Sequence, residues 1–96
     1  MAKGYWVFQA TVTDPETYKQ YIGKDAAAFE KYGARFLVRG GQHQVVEGEA
    51  RPRHVVIEFD SYEQALACYR SPEYQAAAKF RLASSEADIV VVEGVG

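Results

Sequence analysis

The hydrophobic period of this chain switches between two residues and about 3.6 residues in a set order, and that order limits its folds more than any other feature does. GYWVFQATV (4–12) alternates, with Trp6, Phe8, Ala10 and Val12 on one side and Tyr5, Val7, Gln9 and Thr11 on the other, as a half-buried strand does. Asp14 before Pro15 then starts a helix. The carboxylate accepts orphan backbone N–H groups, and proline at the first helical position gives up no needed donor. Tyr18, Ile22, Ala26, Phe29 and Tyr32 form its apolar stripe, and Gly33 ends it. ARFLVR (34–39) and RHVVIEFD (53–60) return to alternation, joined by GGQHQVVEGEARP. There Gly40 and Gly41 predict a bulge or bend, and QHQVVEG is able to prolong the first of the two strands. A second helix begins at Asp60 or Ser61, with Glu63 or Gln64 placed to close a capping box, and Pro72 breaks it so that Ser71 caps a further helix. EADIVVVEG supplies a last, more continuously apolar strand.

The resulting order, β-α-β-β-α-α-β, predicts an α+β domain of the ferredoxin-like split β-α-β type, a four-stranded antiparallel sheet with helices on one face. The first and third strands lie in the middle, and the arginine-bearing strand lies beside the third. Trp6, Phe8, Phe36, Val38, Val55, Ile57 and Phe59 are expected under the helices. The opposite face, with Val7, Leu37, Val56 and apolar residues of the last strand, has nothing in this chain to cover it. An exposed patch of that kind asks for a partner, and a two-fold homodimer through the open sheet face is the economical solution.

Composition narrows the partners further. The 96 residues make one domain, small enough to leave association attractive. Eleven basic and thirteen acidic side chains give a net charge of -2, which lacks the basic excess that nucleic acid or anionic lipid demands. No apolar run reaches the roughly 20 residues of a spanning helix. MAKGYWVFQATV has no small-residue cleavage site, so the expected location is the cytoplasm. The single cysteine, Cys68, reads as a small buried hydrophobe. Two histidines and one cysteine without ligand spacing define no metal site, and no phosphate loop, nucleophile elbow or dinucleotide fingerprint is present, so no cofactor is expected.

Taken in order, GYWV, DPETYKQY, GARFLVRGG, VVEG, VVIEF, SPEY and VVVEG resemble the bacterial DUF1330 family, a domain of unknown function in the dimeric α+β barrel group. The resemblance covers nearly the whole chain. It implies a ferredoxin-like protomer that pairs through its sheet, and it implies no activity. Family positions that carry over are Arg39, Gly40, Glu47, Gly48, Glu58, Ser71, Tyr74 and Arg81.

The candidate site residues follow from strand parity. Strict alternation puts Arg35 and Arg39 on the uncovered face together with Gln9, His54 and Glu58. Paired with Glu58, Arg39 holds that carboxylate ionised; with a free side it binds a carboxylate or enolate in two-pronged fashion. His54 and Glu58 are the candidates for acid–base work, and Tyr74 and Arg81, on one helical face, reach the rim. Two functions stay open. One is a pocket between sheet and helices for a small organic anion, held by Arg39 with Arg35 and His54, in a cofactor-free isomerase- or monooxygenase-like enzyme or a simple binding protein. The other is a non-catalytic dimerisation module whose polar groups only set the interface.

Overall fold

The computed structural model describes residues 2–96. Its elements are β1 (Gly4–Val12), α1 (Pro15–Lys24), α2 (Ala26–Lys31), β2 (Arg35–Arg39), β3 (Arg53–Phe59), α3 (Tyr62–Arg70), α4 (Pro72–Ser84) and β4 (Ser85–Glu93). The four strands form one antiparallel sheet in the order β2-β3-β1-β4, so the first and third strands occupy the centre as the pattern predicts. The fold is α+β and ferredoxin-like, with the helices layered on one face of the sheet.

Local chemistry sets the helix ends. Asp14 accepts from the Thr17 backbone N–H and, at 2.7 Å, from its hydroxyl; Ser61 accepts from Gln64 N at 3.0 Å and Ser71 from Tyr74 N at 3.1 Å. Each satisfies a first-turn donor that the helix cannot. The capping box at Ser61 is not closed, because the Gln64 side chain donates instead to the Tyr32 carbonyl and ties α3 to the end of α2. Gly33 follows α2 with φ +68°, the left-handed turn that glycine makes without strain.

The core lies between sheet and helices and centres on Trp6. This ring is fully buried, packs edge-on against Phe29 at 5.3 Å and Tyr74 at 4.9 Å between centroids, and donates its indole N–H to the Ala65 carbonyl at 2.9 Å. Phe8, Val55, Ile57 and Phe59 line the same face. Cys68 is sealed among them, and burial pushes its thiol up to about 12, so it is inert as a nucleophile.

Three expectations need correction. The first long helix is two segments: Asp25 interrupts it in turn geometry, at 5% exposure, on the face that also carries Tyr18 and Tyr21. Residues 41–51 form no strand, so QHQVVEG does not prolong β2. Most important, the irregularity in β2 lies between Phe36 and Val38, ahead of the double glycine: Phe36 pairs with Ile57, Val38 with Val56 and Arg39 with Val55. One extra residue, Leu37, reverses the parity of everything after it.

Candidate functional site

That reversal separates the two arginines. Arg35 stays on the open face, whereas Arg39 turns to the helix side, level with Val55, and stacks its guanidinium over Phe36 at 4.2 Å from the ring centroid. Val38 makes the opposite exchange and joins Val56 on the open face, 41% exposed. The expected contact of Arg39 with Glu58 is therefore not made; Arg35 takes that role.

On the helix side Arg39 stands at a cleft of about 340 Å³, mouth included, between α1, the α1–α2 break and strands β2 and β3. Trp6, Phe8, Phe29, Phe36, Val55 and Ile57 form its floor, and Tyr18, Tyr21, Asp25, Arg39 and Arg53 also line it. Asp25 makes no capping bond to the helix behind it, and no cation lies within ion-pair distance of it among the described residues. Burial pushes its carboxyl up to about 6, and the charges of Arg39 and Arg53 only partly offset this. Arg53 packs over Tyr18 at 5.7 Å from the ring centroid, and its Nε is buried without a hydrogen-bond partner among the described residues. Gly40 lets this guanidinium in: it has φ +67°, and a Cβ there would stand 2.6 Å from Arg53 Nη1.

Behind the cleft runs a buried polar chain. Arg81 Nε donates to the Tyr74 hydroxyl at 3.2 Å, and that hydroxyl lies 2.8 Å from the hydroxyl of Tyr21. Arg81 is 4% exposed and Tyr74 fully buried. Sequence reasoning placed Tyr74 and Arg81 on one face of their helix. The structure brings them together there and links them to the cleft through Tyr21. Burial raises the Tyr74 phenol, and with Tyr74 beside it raises Tyr21 well above the usual tyrosine range, so both are neutral donors.

The open face holds the remaining candidates. Arg35 Nε donates to Glu58 Oε1 at 2.9 Å, Tyr5 donates to Glu58 Oε2 at 3.0 Å, and Arg35 Nη1 lies 3.1 Å from Asp60. The Arg35 hydrogen bond holds Glu58 below the usual carboxylate range. His54 pairs across from Gln9 and lies 4.8 Å from the His43 ring, centroid to centroid. Arg35, His54 and Glu58 are thus on the other side of the sheet from Arg39. Among the described residues no group of three or more His, Cys, Asp or Glu side chains converges as metal ligands, and no helix is long and apolar enough to cross a membrane.

Asp25 and Arg53 had escaped the sequence reading. Asp25 left one signal: it lies four residues after Tyr21 and four before Phe29, so a carboxylate stands in the apolar stripe.

A ferredoxin-like α+β domain with a polar cleft under its helices is the class that fold and site define. Within it the chain belongs to the DUF1330 family, a domain of unknown function, whose model matches residues 3–95. No curated protein matches it. Among solved structures it is similar to RPA0582 of Rhodopseudomonas palustris, a protein of unknown function (TM-score 0.80, 16% identity, 99% of this chain and 84% of that one). It is also similar to SnoaB of Streptomyces nogalater, a cofactor-independent oxygenase (TM-score 0.62, 13% identity, 100% and 96%). A third is a dimeric ferredoxin-like protein of unknown function from Thermobifida fusca (TM-score 0.56, 17% identity, 98% and 92%). At these identities the likeness is one of fold.

Proposed function

We propose that this protein is a homodimer that binds a compact organic anion in the helix-side cleft of each protomer, with Arg39 as the principal anchor. The observation that carries this reading is a cationic rim over an aromatic floor: Arg39 and Arg53 both line the cleft, and the buried Arg53 Nε has no partner among the described residues. An orphaned buried donor is costly unless something accepts from it, and a carboxylate or enolate does so in two-pronged fashion. The aromatic floor suits the carbon skeleton of such a ligand. Arg35 and His54, which the sequence assigned as helpers, lie on the far side of the sheet, and Arg53 stands in their place.

The Arg35, Glu58 and Tyr5 cluster supports a second reading, in which polar groups of the open face fix the pairing of two copies. The two readings concern opposite faces and separate cleanly. A thermal-shift screen of small carboxylic acids tests the first: an acid at 100 times its dissociation constant stabilises by about 2.7 kcal/mol. Arg39→Ala is expected to abolish the shift and leave the dimer intact. A screen in which no acid moves the melt overturns the binding reading, and an Arg35→Ala variant that keeps its fold but loses the dimer supports the interface reading.

A further inference from the structure

Resting on the anion reading of the cleft, we propose that the site takes up a compact monoanion together with one proton, Asp25 becoming a neutral carboxyl that donates a hydrogen bond to an anion clamped by Arg39 and Arg53. The geometry is that of a gap. Asp25 is 5% exposed and lines the same cleft as the two guanidiniums, yet it pairs with neither within 4.0 Å among the described residues. A species sitting between them completes all three.

The groups facing Asp25 have one sense. Tyr18 and Tyr21 approach from α1, Arg39 from β2, Arg53 from β3 and the thiol of Cys68 from α3. The two tyrosines and the cysteine are neutral, so among the described residues Arg39 and Arg53 are the charges that favour the carboxylate, and burial already outweighs them in the free protein. A bound anion adds a like charge beside Asp25 and takes a share of both arginines, and two anionic groups at one site do not both stay ionised near neutral pH.

Donor counting agrees. Arg81 occupies an acceptor position on Tyr74, and one hydrogen bond joins Tyr74 to Tyr21, so two phenolic protons share a single internal acceptor. Tyr74 is sealed while Tyr21 borders the cleft, so the satisfied arrangement has Tyr74 donating to Tyr21 and Tyr21 donating outward. An acceptor-rich ligand receives that proton, the Arg53 Nε–H and the Asp25 O–H.

The test is isothermal calorimetry with pyruvate and benzoate, and malonate as a dianion, in buffers of different ionisation enthalpy. The wild type is expected to take up about 0.5 to 1 proton per monoanion at pH 7, and its affinity is expected to fall about tenfold per pH unit above pH 6. Asp25→Asn, a permanently neutral side chain of the same shape, is expected to bind about a hundredfold more tightly than the wild type at pH 8, with no proton uptake and no pH slope. Binding of a monoanion without proton uptake, or loss of binding in a folded Asp25→Asn, overturns this inference and leaves the anion site standing. Failure of all three acids to bind the wild type overturns the anion site itself.

Discussion

Asp25 shows what a single side chain costs when it is placed for a ligand. In the free protein its carboxyl titrates near 6, about two units above an unfolded aspartate near 3.9. A carboxyl raised on folding never adds stability; it subtracts from it once the unfolded chain is free to ionise. Below about pH 4 both states are protonated and Asp25 contributes nothing; between pH 4 and 6 the unfolded chain ionises first, and above pH 6 the penalty is complete. Water at the cleft mouth screens part of it, leaving about 1 to 2 kcal/mol. Asp25→Asn is therefore expected to raise the melting temperature at pH 8 and to leave it unchanged at pH 4. Melts followed by circular dichroism at both values check this, and equal melting of the two proteins at pH 8 would contradict the burial that pushes the carboxyl up.

Among the elements, β2 decides where the charge goes. Arg35 and Arg39 are four residues apart, and a regular strand has no choice but to place them on one face. The bulge removes one residue from the count, and β2 is an edge strand, where bulges are common because only one neighbour enforces the ladder. No residue type in RFLVR announces it, since Phe36, Leu37 and Val38 all suit a strand, and the double glycine drew the expected irregularity to the wrong place. Parity was legible where two neighbours pinned the register, as for Trp6, Phe8, Val55 and Ile57, and failed past the bulge of β2, which has one. Deleting Leu37 turns the observed pairing into a regular ladder, with Phe36 still opposite Ile57 and Arg39 still opposite Val55. The deletion variant is accordingly expected to fold, with a change in stability of no more than about 1 kcal/mol. A urea titration reads this out. A variant that fails to fold would show that the bulge itself, and not the face it selects, is required.

At the scale of the whole molecule, the sequence carried the topology because each period change is a local property, whereas the site depends on approaches between distant segments. The residues that build the cleft come from β1, α1, the helix break, α2, β2 and β3, and neither an orphaned guanidine Nε nor an unpaired carboxylate exists until those elements meet. The uncovered side of the sheet is different, being written in alternation alone. The domain is only 17 Å through its shortest dimension, one sheet and one helical layer, and its bare face exposes Val7, Val38, Val90 and Val92. Val7 and Val90 are cross-strand partners at 47% and 57% exposure, so they form a continuous apolar surface across the sheet. If a second copy covers this face, a charge at position 90 is harmless to the single chain, where water reaches it, and costly to the pair, where water does not. Val90→Glu is expected to leave the far-ultraviolet spectrum intact and to weaken self-association by about 2 kcal/mol, roughly 30-fold in dissociation constant. Sedimentation velocity over a range of concentrations measures both proteins. A wild type that stays a single chain at the highest concentration, or a Val90→Glu variant that sediments as the wild-type dimer does, would remove the homodimer from the account and leave the helix-side cleft to be judged separately.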